Sequence, residues 1–504
     1  MYDTENSLKV ITKGAVIVLI GILISKILSY GYRILIARIG PEDYGTFSIA
    51  LAVLGFISTI SLLGLNNGVL RYVPHYMALS KSEIAKKIIF FSLAVTFTVG
   101  LIFSIILFLF SQEISISIFH NYELVPILKV IAIIIPFYVI NNIFFFAFRA
   151  FKQIKYEVYL KNIFENVNKL ILTFLVIYVM GKGILGVSVA YVIPIFLTTI
   201  ISFYILKKII PKKTKSFEIF SKKEFLFYSI PLLFSTFLIM LLSWTDTLML
   251  GYFTSPSEVG IYNTALPTAQ LLYVMPYAIS VLFIPLLSEH FAKEKKESFK
   301  EIYKISSKWI LLTNIFIFSL FILFSKEILG YLFGQEYIIG STMFIIISAG
   351  FFINYTLINS EEILKVIKKT KVLFWNSAIV AIINVFLNLL LIPQYGGIGA
   401  AIATSFSFLL MVLMIVTESI YFLKITPFSL RWVSIIFSAV VSTLTIFYVK
   451  TLFFNDITIV SMIFLGILLL IIYFILLYIS KSFQQEDFFI LRSIKQKVKA
   501  SLGF

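Results

Sequence analysis

The chain has 504 residues, of which 60% are hydrophobic and 13% are charged, and its mean hydropathy is +1.00. A soluble globular domain needs a more even balance of polar and apolar residues, so this composition excludes one. The chain contains no cysteine, which excludes disulfides, thiolate nucleophiles and cysteine-based metal sites. Its three histidines are too scattered to form a metal site, and we predict neither a metal nor a cofactor.

Spanning helices are predicted from apolar runs of about 20 residues. The first run follows the polar N-terminal stretch that ends at Lys13. It is longer than a signal-peptide core and has no cleavage site of the A-x-A type, so we predict an uncleaved span. The length criterion predicts about 14 spans in all. They lie near residues 14–37, 42–65, 86–111, 124–148, 160–181, 184–207, 225–252, 260–287, 306–332, 339–364, 372–393, 397–423, 430–452 and 457–480.

The basic residues indicate how the spans are oriented. If the N-terminus is cytoplasmic, most of the 42 Lys and Arg residues fall on cytoplasmic segments, as the positive-inside rule requires. The even number of spans then places the C-terminus in the cytoplasm too. The net charge of +17 thus reflects topology and anionic lipid head groups, so we expect membrane lipids and no nucleic acid as partners. The basic tail from Lys481 to Phe504 has the pattern of an interfacial helix, and a solvated tail fits it equally well.

The first two groups of six spans share the motif P-x-x-x-G-x-[FY]-x-x-A-L. It occurs at residues 41–51 and again at residues 256–266. A pattern of small residues, G-x-x-G-x-x-x-A, recurs at nearly the same offset, at residues 183–190 and 396–403. Because six spans is an even number, both copies enter the membrane from the same side and form parallel halves.

The repeat defines the expected domains of an all-α polytopic membrane protein. Residues 1–215 are predicted to form an N-terminal six-helix lobe, and residues 216–425 a C-terminal lobe that repeats it. Residues 426–504 add two transmembrane helices and the basic amphipathic tail. Parallel halves of this kind typically enclose a central cavity.

Charged side chains at membrane depth are costly and are therefore the first functional candidates. In the first span, Lys26, Tyr30 and Arg33 recur at helical spacing and share one face. Snorkelling of the two cations to the interfaces is the structural alternative, but Lys26 lies in the middle of the span. An arginine suits a phosphate because its planar donors bind two oxygens and remain charged.

Two further spans carry acidic residues. Glu165 and Lys169 have the spacing and order of an i, i+4 ion pair, which could be a neutralised structural pair or part of a cavity. Asp246, in the seventh span, could either pair with a cation elsewhere in the protein or act in ion coupling. Asparagines in the spans could bind sugar hydroxyls, although hydrogen bonds between helices are their commoner use.

Several motifs together resemble the polysaccharide transporter (Wzx-type flippase) family of the multidrug/oligosaccharidyl-lipid/polysaccharide (MOP) exporter superfamily. The resemblance extends over essentially the whole chain and includes the count of six, six and two spans. The motifs are residues 37–47 (A-R-I-G-P-E-D-Y-G-T-F), 64–67 (G-L-N-N), 71–74 (R-Y-V-P), 244–246 (W-T-D), 250–253 (L-G-Y-F) and 258–262 (E-V-G-I-Y).

This resemblance implies a flippase, not an enzyme, that moves a polyprenyl-phosphate- or diphosphate-linked oligosaccharide across the cytoplasmic membrane. It further implies alternating access of the two lobes, with Lys26, Arg33 and Tyr30 as candidate ligands of the phosphate. Sodium ions, protons and the membrane potential remain open as the coupling force. A cation-coupled multidrug exporter and a peptidoglycan-precursor flippase are alternatives within the superfamily. A polytopic glycosyltransferase or polymerase is the alternative of another class, but it would need a large external loop with acidic residues.

Overall fold

The computed structural model describes Gly21, residues 24–210 and residues 220–482. Within these ranges the chain is helical and contains no β-strand, which confirms an all-α polytopic membrane protein. Its helices are α1 (residues 24–37), α2 (Pro41–Ser61), α3 (Leu65–Ala78), α4 (Ser82–Leu109), α5 (Leu124–Ala150), α6 (Ile154–Val179), α7 (Ile184–Ile209), α8 (Lys222–Phe253), α9 (Pro256–Ala269), α10 (Val274–Ala292), α11 (Lys296–Leu332), α12 (Gln335–Val366), α13 (Thr370–Leu423), α14 (Arg431–Phe453) and α15 (Ile459–Ile479).

Eleven of the described helices are long and apolar enough to cross a membrane. Three differences separate this number from the predicted spans. The beginning of the first span lies outside the described residues, so this span is not among the eleven. The predicted tail beyond residue 482 lies outside them as well. The eighth span is divided into α9 and α10 by a 3-10 turn, Gln270–Tyr273. The eleventh and twelfth spans form one continuous element, α13.

The two halves of α13 meet at Gly396, as the two predicted spans require. This glycine has φ +54° and ψ −133°, a conformation that an L side chain rarely adopts. Pro393 precedes it and removes a backbone donor. The break frees the Gly397 N–H, which donates a hydrogen bond of 2.7 Å to Glu258 Oε1. Glu258 thus holds the break in place.

Helix α3 was not predicted, because it lies between the second and third predicted spans and its 14 residues are too few to cross a membrane. It begins after Gly64, whose φ of +69° is in the left-handed region and whose missing Cβ would overlap the Ser229 carbonyl oxygen. A Cβ at Gly68 would come 2.6 Å from the Phe225 ring. These glycines let α3 pack closely on α8, a use of glycine at helix contacts that is common in membranes.

The described chain divides into two compact units. The first comprises the described residues up to Thr264 together with Val385–Ala400, and the second comprises Ala265–Asn384 and the described residues from Ala401 onward. In the first unit, α2 and α3 pack against α5 and α8, and α5 also packs against α4 and α7. In the second unit, α11 packs against α10, α12, α14 and α15.

The two additional helices, α14 and α15, are anchored on α11 by buried apolar side chains. One such cluster contains Leu311, Ile435 and Tyr473, and a second contains Phe324 and Ile446. The boundaries of 1–215, 216–425 and 426–504, which come from the repeat, remain a prediction.

Candidate functional site

A polar cavity of about 350 Å³ lies within the first unit, among α1, α5, α6 and α7. Its charged lining residues are three cations and one carboxylate. Tyrosine and asparagine side chains supply most of the remaining polar surface. The lining residues with charges are Arg33, Lys161, Glu165 and Lys169; the tyrosines and asparagines are Tyr32, Tyr138, Tyr191, Asn141, Asn142, Asn162 and Asn166.

Of the predicted stripe on α1, Arg33 lines this cavity. The other side chains of α1 that line it are Ser25, Ser29 and Tyr32, which follow one another at helical spacing. Lys26 is exposed, and neither it nor Tyr30 is among the lining residues. At about 100° per residue, Arg33 lies where the serine face meets the face of Lys26 and Tyr30.

The guanidinium of Arg33 is surrounded by hydroxyl groups. It is close to Tyr32 and Tyr191 and hydrogen-bonded to the Tyr44 side chain. The Tyr44 hydroxyl in turn donates a hydrogen bond of 3.2 Å to the backbone carbonyl of Asn263. The neighbours that these contacts give Arg33 are phenols, so they orient the cation without neutralising it, and a bound anion could do so.

The predicted pair on α6 is present. Lys169 Nζ lies 2.7 Å from Glu165 Oε1, with both side chains buried. The same ammonium lies 3.8 Å from the ring centroid of Tyr191, a cation–π distance. The pair therefore balances its own charge, and the excess positive charge of the cavity comes from Arg33 and Lys161.

Lys161 was not singled out in the sequence. It is four residues before Glu165 and eight before Lys169, so spacing along the helix could have placed it on the same face. The segment that carries it, Val158–Glu165, is a π-helix. Such segments occur frequently at functional sites, because they widen the helix locally and change the direction of side chains.

Several asparagines hold helices together. Asn166 Nδ2 donates to Ser25 Oγ at 3.0 Å, which joins α6 to α1, and Ser202 donates to Asn141 Oδ1 at 3.3 Å, which joins α7 to α5. In the second unit, Asn359 bonds with Ser280 and Ser306. These asparagines therefore form hydrogen bonds between helices, and Asn141 and Asn166 also line the cavity.

Asp246 forms a second buried polar centre, in α8. Its Oδ2 accepts a hydrogen bond of 2.5 Å from the Tyr262 hydroxyl, and its Oδ1 accepts one of 2.7 Å from Asn388 Nδ2. Both donors are uncharged, so they stabilise the carboxylate by hydrogen bonding. Among the described residues there is no group of three or more His, Cys, Asp or Glu that could hold a metal.

Hydrogen bonds connect the surroundings of Arg33 with those of Asp246. Asn263, whose carbonyl accepts from Tyr44, also accepts a hydrogen bond of 3.3 Å from Thr247 through its side-chain oxygen. Thr247 follows Asp246 directly. Arg33 and Asp246 are thus joined through Tyr44, Asn263 and Thr247, a set of contacts that the sequence did not reveal.

The sequence matches two family models and several known membrane proteins. Residues 11–291 match the family of polysaccharide biosynthesis proteins, and residues 231–390 match the MatE family. The "uncharacterized membrane protein MJ1068" of Methanocaldococcus jannaschii is 26% identical over 451 residues, which cover 85% of this chain and 87% of that protein. The "probable low-salt glycan biosynthesis flippase Agl15" of Haloferax volcanii is 28% identical over 166 residues, which cover 33% of this chain and 35% of Agl15.

The fold is similar to that of a solved flippase. The lipid II flippase MurJ, in an inward closed conformation, superposes with a TM-score of 0.74 at 18% sequence identity. The superposition covers 91% of this chain and 97% of MurJ.

Proposed function

The chain belongs to the family of polysaccharide biosynthesis proteins, and we propose that it moves an oligosaccharide linked to a polyprenyl phosphate or diphosphate across the cytoplasmic membrane. At the coarser level it is a multi-pass transporter of the MOP superfamily and not an enzyme.

The observation that carries the proposal is the excess positive charge of the cavity, with Arg33 among phenols. Moving a phosphate through hydrocarbon is prohibitively costly when its charge is not compensated. A fixed guanidinium lowers that cost and binds two phosphate oxygens at once. The tyrosine and asparagine side chains around it are suitable hydrogen-bonding partners for sugar hydroxyl groups.

The proposed mechanism is alternating access of the two predicted lobes. The head group enters from the cytoplasmic side, is held by Arg33 with Lys26 and Tyr30, and is released outside while the lipid tail remains in hydrocarbon. The parallel repeat supports this mechanism, because halves related by an axis along the membrane normal can rock about a fixed site. In the orientation that the positive-inside rule favours, both termini are cytoplasmic.

Coupling is proposed to involve the acidic residues. Asp246 is a buried carboxylate in a helix long and apolar enough to span the membrane, a type of residue that commonly takes part in ion coupling. The contacts from Asn263 to Tyr44 give it a physical connection to Arg33. The Glu165–Lys169 pair lines the same cavity as Arg33 and could respond to the same ion. A change at either acidic group would then alter how Arg33 is held.

A binding measurement tests the cargo. Purified protein in detergent is titrated with a polyprenyl-diphosphate-linked oligosaccharide and with the same glycan on an uncharged lipid. We expect the charged ligand to bind more tightly and Arg33→Ala to weaken its binding roughly 10- to 100-fold, the range for a hydrogen bond to a charged group. Lys26→Ala should weaken it less, and Lys371→Ala, at an exposed basic position, should not. Equal binding of the two lipids would contradict the proposal.

A multidrug exporter is the second candidate, because residues 231–390 match the MatE family. Such a protein would bind an organic cation at a carboxylate, and Asp246 is the buried candidate. Binding of an organic cation that Asp246→Asn abolishes and Arg33→Ala leaves unchanged would favour this function.

A further inference from the structure

A groove of about 300 Å³ lies between α4 and α7 in the first unit, apart from the cavity of Arg33. Both helices pack against α5, and the Phe203 ring lies 6.5 Å from that of Phe144 on α5. The walls of the groove are apolar. Its apolar lining residues are Phe90, Leu93, Phe203, Leu206 and Ile210.

Two lysines close one end of this groove. Lys86 is one turn before Phe90 on α4, and Lys207 is one turn after Phe203 on α7. Lys86 lies near the beginning of α4 and Lys207 near the end of α7, and both line the same groove. The two ammonium groups are therefore on the same side of the membrane, at the ends of their spans. No carboxylate lines the groove, and in the described ranges neither lysine has an ion-pair partner.

The exposure of the walls indicates that the groove is open toward the lipid. Phe90 and Phe203 are each 45% exposed, although they belong to helices that are long and apolar enough to span the membrane. The outward-facing side chains of a helix that spans a bilayer contact hydrocarbon chains and not water. A groove with apolar walls and two cations at one end matches a lipid that has an apolar chain and an anionic head group.

We propose that this groove is a binding site for an anionic membrane phospholipid, whose phosphate lies between Lys86 and Lys207 and whose chain packs along Phe90, Phe203 and Leu206. Snorkelling alone would let each lysine reach the interface separately. It does not require two cations at the end of one apolar groove that no carboxylate lines. The site is separate from the cavity in which the cargo is proposed to bind, so it does not depend on the proposed function.

The absence of cysteine allows a direct test with one introduced label. Tyr204→Cys carries a fluorophore next to the groove, because Tyr204 is 62% exposed and adjacent to Phe203 without being a lining residue. The labelled protein is reconstituted in phosphatidylcholine that contains small amounts of a brominated-chain quencher lipid, either phosphatidylglycerol or phosphatidylcholine.

We expect brominated phosphatidylglycerol to quench at several-fold lower membrane content than brominated phosphatidylcholine. Lys86→Gln with Lys207→Gln should abolish this preference, since each interfacial lysine contributes about fivefold to binding of an anionic lipid. Lys368→Gln with Lys371→Gln removes the same charge from exposed positions elsewhere and should leave the preference intact.

Equal quenching by the two lipids in the otherwise unaltered protein would overturn the proposal, as would a preference that persists without Lys86 and Lys207. A third result would also overturn it. If unlabelled polyprenyl phosphate relieves the quenching at amounts at which unlabelled phosphatidylglycerol does not, the groove belongs to the transported carrier and not to a phospholipid. Melting temperatures of all variants show whether a lost preference reflects a lost fold.

Discussion

Gly45 and Gly260, which hold the same position in the two copies of the repeat motif, contact each other through their backbones. A Cβ on Gly45 would lie 2.8 Å from the Gly260 amide nitrogen, and a Cβ on Gly260 would lie 3.0 Å from the Gly45 amide nitrogen. Each would also overlap the carbonyl oxygen of the proline that begins the other motif, Pro256 or Pro41. The contact is reciprocal, as expected of two repeats related by a two-fold axis.

This contact predicts that neither glycine tolerates a side chain. Gly45→Ala and Gly260→Ala should each destabilise the protein by about 1–3 kcal/mol, the usual cost of overpacking, as measured by thermal unfolding in detergent. Gly183→Ala is the matched control, because a Cβ there would have no atom within 4 Å. Since the two glycines touch, the double variant should cost less than the sum of the single ones. Full stability of both single variants would contradict the contact.

Tyr44→Phe tests the connection between Arg33 and α9. The substitution keeps the ring but removes the hydroxyl that holds Arg33 and donates to the Asn263 carbonyl. We expect flipping in liposomes to slow about tenfold, the equivalent of one hydrogen bond to a charged group. The melting temperature should fall as well, because Arg33 and the Asn263 carbonyl each lose a buried partner. Tyr204→Phe, at an exposed ring, serves as the control. An unchanged flipping rate in Tyr44→Phe would show that the contacts of Tyr44 with Arg33 and Asn263 do not contribute to transport.

The buried pair on α6 predicts a strongly non-additive cycle. Lys169→Met leaves the Glu165 carboxylate buried without its ammonium, which should cost about 3–5 kcal/mol of stability. Combining Lys169→Met with Glu165→Gln should recover most of the loss, because an uncharged pair is far cheaper to bury. Thermal unfolding of the four proteins measures the cycle. Purely additive losses would mean that the ion pair seen at 2.7 Å contributes little.

Two substitutions of Asp246 distinguish a structural role of this residue from a role in ion coupling. Asp246→Ala removes the acceptor of both Tyr262 and Asn388 and should cost about 1–3 kcal/mol for each buried donor that loses its acceptor. Asp246→Asn retains one oxygen acceptor and should be closer to wild type in stability. If Asp246 couples an ion, the Asn variant should still flip cargo more slowly and lose its dependence on sodium or pH. A stable Asn variant with unchanged ion dependence would assign Asp246 to structure alone.

Lys450 holds a break in α11, where Phe324 has a non-helical φ of −124° and ψ of 25°. Its ammonium donates to the Leu323 carbonyl at 2.6 Å and pairs with Glu327 at the same distance. Lys450→Met should therefore lower the stability by about 1–3 kcal/mol, the cost of leaving buried polar groups without partners. Lys326→Met, one residue from Glu327 and exposed, is the control; equal melting temperatures for the two variants would show that the break needs no support.

The sequence was sufficient for the positions of most of the described spans, because hydrocarbon requires long apolar helices with internally satisfied backbones. It even separated the two halves of α13, since Pro393 and Gly396 mark the break. It did not predict the 3-10 turn that divides the eighth span. The sequence did not predict α3, because this helix contains polar residues of the kind expected in a loop between two spans. The close approach of Gly64 and Gly68 to α8 depends on packing that no local pattern announces.

The candidate site was predicted in part. Spacing along one helix predicted the pair of Glu165 with Lys169, because both residues belong to the same helix. Spacing placed Lys26, Tyr30 and Arg33 on one face, but it could not show that the cavity meets the adjacent face, with Ser29 and Tyr32. The partners of Asp246 come from α9 and α13. Contacts between residues so distant in sequence follow from tertiary packing alone.

Transbilayer movement of a polyprenyl-diphosphate-linked oligosaccharide in liposomes tests the central claim most directly. A fluorescent cargo is loaded in both leaflets, and the fraction that a membrane-impermeant quencher reaches is followed over time for the wild type, Arg33→Ala and Lys371→Ala. We predict that the wild type and Lys371→Ala expose the whole pool, whereas Arg33→Ala leaves about half of it protected. Equal movement by the wild type and Arg33→Ala, or none by the wild type alongside ion-driven export of an organic cation, would contradict the account.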